Sequence, residues 1–432
     1  MRIATLAPLL LMVLAPPCMA SEEFPPPEFS QGYHYPHVST PAPRAEWFGY
    51  VDVAVLLVVL SVAAYVVLKK RARREVVILS VFSLLYFGFY RHGCICAIGA
   101  IQNVAYAALG ADYGLPVVAA AFFLIPLLFV LLFGRVFCGA ACPLGAAQEV
   151  VLLRPVKVPA WLDSALGTVP YVYLGGAVLF AGTGSAFVIC DYDPFVLFFR
   201  LSGSAGMLIF GAVVLLLSTV VGRPYCRYLC PYGVLLRLLA PFSKWQVRIT
   251  PTDCINCHLC AEACPYGAIQ APTPDPGSVD RHAGRGKLAL LVVLLPVLMV
   301  VGGALARLTS PLLARVHPRV QLANRLWAEE QGRVEEMTDE TEAFEEQGLP
   351  TSDVYREAAA IHGRFHVGSW AFGGWIGLVL GMKMIGLSVR RHRREYEVDP
   401  GSCLACSRCY ASCPVEHAGA DALPPASMDE HL

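Results

Sequence analysis

Residues 254–265 read CINCHLCAEACP and residues 403–414 read CLACSRCYASCP, so one cysteine pattern occurs twice in the chain. In each copy three cysteines are spaced by two residues, and a fourth cysteine directly precedes a proline. Three thiolates at this spacing wrap one four-iron cube, and in two-cluster ferredoxins the fourth cysteine ligates the other cube. Zinc also binds thiolate sets, but two complete copies with both prolines favour two [4Fe–4S] clusters.

The crossed ligation of two-cluster ferredoxins predicts which cysteines share a cluster. The expected ligands of the first cluster are Cys254, Cys257, Cys260 and Cys413. The expected ligands of the second are Cys403, Cys406, Cys409 and Cys264. We therefore expect a bacterial-type ferredoxin domain that is split between two distant segments.

The rest of the chain has the composition of an integral membrane protein. Of its 432 residues, 56% are hydrophobic and 15% are charged, whereas soluble domains have about 25% charged residues. The formal net charge is zero, so no general affinity for nucleic acid is expected. Residues 1–20 have a basic start, an apolar run and small residues at the end, which is typical of a cleavable signal peptide. Cys18 is expected to leave with it.

Seven stretches are long and apolar enough to cross a hydrocarbon core of about 30 Å. They are roughly 50–68, 76–92, 115–133, 168–190, 205–221, 287–304 and 369–389. The basic run 69–74 fixes the end of the first helix as cytoplasmic. Each later predicted helix crosses the membrane once, so both ferredoxin segments fall on the cytoplasmic side. The basic residues that follow the seventh helix agree with this; they are Arg390, Arg391, Arg393 and Arg394. The chain is predicted to be an all-α protein of the bacterial inner membrane, with its N-terminus outside and its C-terminus inside.

These features divide the chain into consecutive segments. We expect a signal peptide (1–20), an extracytoplasmic arm (21–49), a five-helix membrane domain (50–240), a first ferredoxin segment (241–286), the sixth helix (287–304), an acidic extracytoplasmic helical segment (305–368), the seventh helix (369–389) and a second ferredoxin segment (390–432). The acidic segment is interpreted as a solvated helix pair that caps the bundle. Alternatively, it is a docking surface for a basic redox partner.

An internal repeat lies within the membrane domain. Residues 133–145 (FGRVFCGAACPLG) match residues 221–233 (VGRPYCRYLCPYG), and each copy follows an inbound helix. We therefore predict two parallel hairpin repeats related by an axis along the membrane normal. Each copy places two cysteines one turn apart on one helix face; the four are Cys138, Cys142, Cys226 and Cys230. They could converge on a further cluster, line a quinol pocket, or serve only as structural caps, and Arg135 and Arg223 could neutralise charge beside them.

Further cysteines and histidines are expected on the outer face. Cys94, Cys96 and Cys190 fall at the predicted outer ends of the second and fourth helices. They could hold a small cluster, lie near a diffusing quinone, or form a disulfide. His362 and His366 share one helix face before the last helix, where haem or copper ligation is conceivable; because no second obvious partner accompanies them, they are interpreted as ordinary interfacial histidines.

Together these residues resemble the NosR/NapH-type membrane polyferredoxins and, more distantly, the CcoG-type oxidase-assembly proteins. The resemblance rests on the two Gly-Arg-x-x-Cys-x-x-x-Cys-Pro units, the loop 190–195 and the ferredoxin cysteines, and it covers roughly residues 50–270 and 375–416. It implies a quinol-linked electron relay that serves a respiratory or reductive enzyme. NapH-type chains usually keep their two ferredoxin motifs adjacent, whereas here two helices separate them.

The predicted function is electron transfer between quinol or a periplasmic redox partner and the two cytoplasmic clusters. The chain would then be an electron carrier or a quinol-oxidising component of a larger complex. No glycine-rich nicotinamide or flavin fingerprint accompanies the cysteines, so the cofactors would carry the chemistry. The alternatives are a redox-sensing regulatory protein and a factor that assembles a metallo-oxidase.

Overall fold

The computed structural model of this chain describes residues 45–93, 96–110, 113–200, 204–249, 254–273, 281–334, 337–389, 392–393 and 395–414. The predicted signal peptide with Cys18 and nearly all of the predicted arm lie outside these residues. So do Cys94 and three of the four basic residues after the last helix, namely Arg390, Arg391 and Arg394.

The first half of the membrane domain consists of apolar helices joined by short connections. They are α1 (Trp47–Tyr65, continued as a π-helical turn Val66–Lys70), α2 (Arg73–Ser83, continued as a π-helical stretch Leu84–Tyr90), α3 (Ala97–Leu109) and α4 (Val117–Phe133). Helix α3 was not expected, because its 13 residues are too few to span a bilayer. It packs between α4 and a helix of the second half.

The second half begins at the first Cys-x-x-x-Cys-Pro unit. After a π-helical turn (Phe137–Ala141) it contains α5 (Pro143–Val150), α6 (Ala160–Leu166), α7 (Val169–Gly182), α8 (Val188–Asp191), α9 (Pro194–Arg200), α10 (Ala205–Ser218), α11 (Pro224–Tyr228) and α12 (Pro231–Leu239), and the first ferredoxin segment adds α13 (Leu259–Ala263) and strand β1 (Ile269–Gln270). Proline occupies the first position of both α5 and α12. Its fixed φ angle suits a helix start, where the missing N–H has no intrahelical partner.

Two long helices form a hairpin beyond this domain. Helix α14 (Arg281–Ala314) and α17 (Thr351–Ser388) pack along each other, and α15 (Pro318–Glu330) and α16 (Asp339–Glu346) lie between them in sequence. A Cβ atom on Gly373 would collide with the main-chain oxygen of Gly302. Glycine therefore allows the two backbones to touch, as small residues do between membrane helices.

The last segment joins the first ferredoxin segment. Strand β2 (Glu397–Val398) pairs antiparallel with β1, with Ile269 opposite Val398. The short helix α18 (Arg408–Ala411) packs against α13. Two pieces of chain separated by the long hairpin thus form one small unit.

Four helices of the described chain are long and apolar enough to cross a membrane: Trp47–Lys70, Ala160–Gly182, Gly284–Ala314 and Thr351–Ser388. Helices lie at the other predicted spans too, but α4 and α10 are shorter, and the described Gly284–Ala314 span runs beyond its predicted end at 304. The chain is a mainly helical membrane protein. The number of crossings and the arrangement of the repeats stay predictions.

The structure has two hydrophobic cores. The larger one unites the membrane domain with both ferredoxin segments, since Leu144 and Leu236 share it with Tyr266 and Leu404. The smaller one joins α15 and α16 to the two long helices through residues such as Leu326, Phe344 and Phe365. The predicted acidic segment is therefore helical and has its own apolar contacts.

Candidate iron–sulfur site

One cavity in the ferredoxin unit is lined by four thiols from two segments of the chain. Cys264 comes from the first segment, and Cys403, Cys406 and Cys409 come from the second. The hydroxyl of Ser407 lies in the same wall, is buried, and has no hydrogen-bond partner in the structure. These are the four residues that the sequence assigns to one cube, and the donor set fits an iron–sulfur cluster.

The two cysteine loops have the same unusual backbone. Asn256 and Ala405, which occupy equivalent positions before the second cysteine, have φ angles of 53° and 52°. His258 and Ser407, directly after that cysteine, have φ angles of 63° and 60°. A left-handed conformation costs a non-glycine residue roughly 1–2 kcal/mol. Because it recurs at equivalent positions, the two loops have the same backbone conformation. Main-chain N–H groups then reach the sulfur atoms, as Ala405 does toward Cys403.

The other predicted ligand set is grouped less completely. The thiols of Cys254, Cys257 and Cys260 are close enough to interact electrostatically. Cys413 follows α18, which packs against the helix that carries Cys260. Tyr396 contacts His258 of this loop through its hydroxyl and ring, so the second segment also covers the first loop.

Burial shapes the acid–base state of the cavity thiols. It raises the pKa of the Cys403 thiol to about 12 and also raises the pKa of the Cys406 and Cys409 thiols above their ordinary value. Thiols in such surroundings become thiolates only when a cation stabilises the negative charge. This is the chemistry expected of metal ligands rather than of free nucleophiles.

A buried carboxylate ties the membrane domain to this unit. Glu149, near the end of α5, forms ion pairs with Arg73, Arg223 and Arg408, the last at 2.6 Å. The hydroxyl of Tyr266 also donates to Glu149 at 2.7 Å. Burial alone would raise the pKa of Glu149, but the three guanidinium groups outweigh it and hold this pKa far below its usual range. We call these five residues the Glu149 hub.

The hub lies directly against the four-thiol cavity of the ferredoxin unit. Arg73 donates to the main-chain oxygen of Cys406 at 2.8 Å. Arg223, whose side chain is fully buried, donates to the main-chain oxygens of Cys138 and Gly139. With three cations and one carboxylate the hub is net positive, which suits a neighbouring anionic cluster.

A second cavity is lined by all four cysteines of the Cys-x-x-x-Cys-Pro units: Cys138, Cys142, Cys226 and Cys230. The sequence left open whether they would converge, and the structure brings them together. Gln148 donates to the Cys226 sulfur at 3.3 Å, and the main-chain N–H of Gly233 donates to the Cys230 sulfur at 3.3 Å. Arg135 lines the cavity as well and contacts the Cys138 sulfur at 3.7 Å.

The two cavities are neighbours because the backbones around them touch. A Cβ atom on Gly139, which follows Cys138, would lie 2.5 Å from the main-chain oxygen of Leu404. A Cβ atom on Gly222 would lie 2.9 Å from Pro265, the residue after Cys264. Glycine at these places lets both Cys-x-x-x-Cys-Pro units pack directly on the loops that carry the predicted cluster ligands.

The predicted outer thiols are only partly described. Cys190 lies against α3: its main-chain N–H donates to Gln102 at 3.2 Å, and its sulfur is 3.5 Å from a Cβ atom placed on Gly99. Cys96 precedes α3 and interacts electrostatically with Cys190 and with Cys142. The sequence analysis predicted Cys96 on the outer face, opposite the Cys-x-x-x-Cys-Pro units. Its interaction with Cys142 instead indicates that Cys96 lies near the cavity of those units.

The remaining candidates take no part in either cavity. His362 is half-buried and His366 is exposed on α17. In the described part of the chain no three histidine, cysteine or acidic side chains meet closely enough to hold a single metal ion. The sequence analysis missed Glu149, Gln148 and Tyr266. The sequence signal for the first two was the polar pair Gln148–Glu149 inside an otherwise apolar run.

Comparison with known proteins supports the iron–sulfur interpretation. A family model described as a 4Fe-4S binding domain matches residues 115–160 and 204–250, which contain the two Cys-x-x-x-Cys-Pro units. A second model, also described as a 4Fe-4S binding domain, matches residues 247–270, which contain the first ferredoxin motif. No solved structure matches the chain.

Several curated proteins are similar over part of their length. The putative electron transport protein YccM of Escherichia coli is 31% identical over 39% of this chain and 52% of its own length. Protein NirI of Paracoccus denitrificans is 32% identical over 32% of this chain and 22% of its own length. The regulatory protein NosR of Pseudomonas aeruginosa is 29% identical over 45% of this chain and 29% of its own length. The matches to these relatives thus span about half their length or less. They confirm the resemblance to NosR/NapH-type polyferredoxins: the chain carries 4Fe-4S binding domains and is a homologue of ferredoxin-type membrane proteins.

Proposed function

We propose that the chain is an electron relay of the inner membrane that holds two [4Fe–4S] cubes on its cytoplasmic side. One cube binds Cys264, Cys403, Cys406 and Cys409, and the other binds Cys254, Cys257, Cys260 and Cys413. Electrons pass between these cubes and quinol or a periplasmic partner. The observation that carries the proposal is the single cavity lined by Cys264 together with the three cysteines of the distant second loop.

The pairing of strands supports the crossed ligation. Ile269 lies only a few residues after Cys264, and its partner Val398 lies shortly before Cys403. The main-chain N–H of Asp399 also donates to the oxygen of Ala268 at 2.8 Å. This pairing of the two segments supports crossed ligation, in which the fourth cysteine of each loop joins the first three cysteines of the other.

The charge distribution supports electron transfer rather than a purely structural role. A [4Fe–4S] cube with four thiolates is anionic, and each added electron makes it more so; the surrounding charge and hydrogen bonds set its potential. The net positive Glu149 hub lies between this cube's loop and the membrane domain. It stabilises the reduced state and raises the potential of the cube that faces the bilayer.

The proposed orientation follows from the basic residues of the short loops. Lys69 and Lys70 end α1, and Arg73 of the same run joins the Glu149 hub beside the ferredoxin unit. A basic loop marks the cytoplasmic side. We therefore place the ferredoxin unit in the cytoplasm, the acidic helical segment 305–368 outside, and the C-terminus inside.

The test is cluster content in the full-length protein, purified anaerobically in detergent. Cys406→Ser should abolish the electron paramagnetic resonance signal of one cube and weaken retention of the other, because the two loops hold each other. Ser402→Ala, one position outside the same motif, is the matched control and should keep both signals. If Cys406→Ser retains the iron and sulfide of the parent protein, the ligand assignment is wrong.

A second candidate function is redox sensing, which is favoured by the name of the NosR relatives, regulatory protein. Stopped-flow reduction by a soluble quinol analogue distinguishes the two functions. A relay must reduce its clusters on the time scale of respiratory turnover, whereas a sensor needs only slow equilibration. Reduction that takes minutes in reconstituted vesicles would count against the relay.

A further inference from the structure

We propose that the hydroxyl of Ser407 donates a hydrogen bond to a sulfur of one cube and thereby raises the reduction potential of that cube. The cube in question is the one assigned to Cys264, Cys403, Cys406 and Cys409, which we call the buried cube. The inference rests on the proposed function, because it needs this cube. The primary observation is that the Ser407 side chain lines the four-thiol cavity, is 2% exposed and has no hydrogen-bond partner in the structure.

The position of Ser407 in the chain makes its lack of a partner unusual. Ser407 is the N-cap residue of α18. The hydroxyl of a serine at this position usually accepts a hydrogen bond from a main-chain N–H of the first helical turn. Ser407 forms no such bond. Because a buried hydroxyl without a hydrogen bond is costly, this hydroxyl is suited to an acceptor inside the cavity.

The other polar side chains of the cavity wall, besides the cysteines, already have partners. The hydroxyl of Tyr266 donates to Glu149 at 2.7 Å, and the guanidinium group of Arg408 donates to the same carboxylate at 2.6 Å. The remaining side chains of the wall are apolar. Among the lining residues that the structure describes, Ser407 is the one with a buried side-chain donor that lacks a partner.

A cube offers the acceptors that this hydroxyl lacks. Its sulfide and thiolate sulfurs carry negative charge, and hydrogen bonds to them are among the features that set a cluster's potential. Main-chain N–H groups already reach the thiol sulfurs, as Ala405 does toward Cys403 and Arg408 toward Cys406. Reduction makes the sulfurs more negative, and a hydrogen bond strengthens with the charge on its acceptor. The Ser407 hydroxyl therefore favours the reduced state.

The equivalent position of the first cysteine loop is arranged differently. His258 occupies it with a φ angle of 63°, close to the 60° of Ser407, but its side chain contacts Tyr396. In that loop Cys257 is exposed, whereas Cys406 is buried. Burial disfavours the added negative charge of a reduced cube, because less water is present to stabilise it. Ser407 offsets this effect at the buried cube alone.

The experiment is a redox titration of the full-length protein, purified anaerobically in detergent and followed by electron paramagnetic resonance. Ser407→Ala removes the hydroxyl and keeps a Cβ atom at this position of the backbone. At a fixed ambient potential, the ratio of reduced to oxidised buried cube should fall roughly tenfold, which is a downward shift of about 59 mV for one electron. The other cube should titrate as in the parent protein, and so should both cubes of the matched control Ser402→Ala.

A second variant and a second readout separate the hydroxyl from the backbone. Ser407→Gly also removes the hydroxyl, and glycine adopts a φ angle of 60° without strain. It should lower the potential of the buried cube as much as Ser407→Ala does. Electron–nuclear double resonance of the reduced parent protein in D₂O should show a deuteron coupled to the buried cube that is missing from both variants.

Several results would overturn the proposal. One is an unchanged or raised midpoint potential of the buried cube in both variants. Another is an equal shift of both cubes, or the same shift in Ser402→Ala, because the effect would then not be local to the hydroxyl. Loss of the buried cube from both variants would give Ser407 a structural role instead. A parent protein without the buried cube removes the proposed function and this inference with it, whereas two intact cubes with unchanged midpoints remove this inference alone.

Discussion

Replacing Glu149 by glutamine tests the central electrostatic element of the structure. The side chain keeps its shape but loses its charge, so Arg73, Arg223 and Arg408 face one another without a counter-ion. Removing one partner of a buried ion pair costs about 3–5 kcal/mol. Arg223 is completely buried and cannot recover this energy by turning to solvent. We therefore expect a marked loss of stability.

Thermal unfolding of the purified protein in detergent measures this loss. For a chain of 432 residues the unfolding entropy corresponds to about 1 °C per kcal/mol, so the midpoint for Glu149→Gln should fall by roughly 3–6 °C. Glu397→Gln is the control: Glu397 is 63% exposed and its pair with Arg393 is 3.8 Å long. Exposed pairs contribute at most about 1 kcal/mol, so this variant should shift by about 1 °C or less. Equal midpoints for Glu149→Gln and the parent protein would refute the role assigned to the hub.

The same substitution has a spectroscopic consequence. Loss of one negative charge beside the loop of Cys406 disfavours the oxidised form of its cube relative to the reduced form, because reduction adds negative charge. The potential of that cube should rise in redox titrations followed by electron paramagnetic resonance. A fall in potential would show that the hub does not act on the cube through charge.

Three further predictions concern pH and close backbone contacts. The pKa of Glu149 is lowered in the folded protein from its ordinary value of 4.5. The ionised carboxylate therefore stabilises the fold above pH 4.5, and this stabilisation is lost as the pH falls below that value. The stability difference between the parent protein and Glu149→Gln should shrink in acid, which thermal unfolding at several pH values would show. Gly373→Ala should separate α14 from α17 and cost about 1–3 kcal/mol, while Gly386→Ala, which meets no neighbouring atom within 4 Å, should not destabilise; unchanged midpoints for both would contradict the contact. Gly139→Ala should loosen the packing of the first Cys-x-x-x-Cys-Pro unit on the second ferredoxin loop and reduce iron retention during gel filtration, and full retention would show that the contact is dispensable.

Short-range patterns predicted much of the cluster chemistry. The cysteine spacing predicted a ligand set that includes Cys264 and Cys403, and the structure brings these thiols to one cavity, because the conformation of ferredoxin motifs follows from local loop geometry. The repeat indicated that Cys138 and Cys226 could meet, since equivalent positions of two similar units tend to meet, but it left open whether they do. In both cases the physical information is contained in a few neighbouring residues.

Other features could not be predicted because they depend on contacts between distant segments. Glu149 belongs to no motif, and its partners Arg73 and Arg408 come from opposite ends of the chain. The matching φ angles of Asn256 and Ala405 arise at residues with no shared side-chain chemistry. Helix α3, which brings Cys96 toward the other thiols, is too short for a hydropathy criterion based on bilayer thickness.

The pairing of β1 with β2 across the long hairpin has a consequence for biogenesis. During synthesis the loop that contains Cys264 leaves the ribosome well before the loop that contains Cys403, and α14 and α17 lie between them. Under the proposed crossed ligation, the earlier loop has an incomplete ligand set until the second loop has been synthesised. Each cube would then be completed only after both loops are present, so a chain truncated before Cys403 should stay colourless.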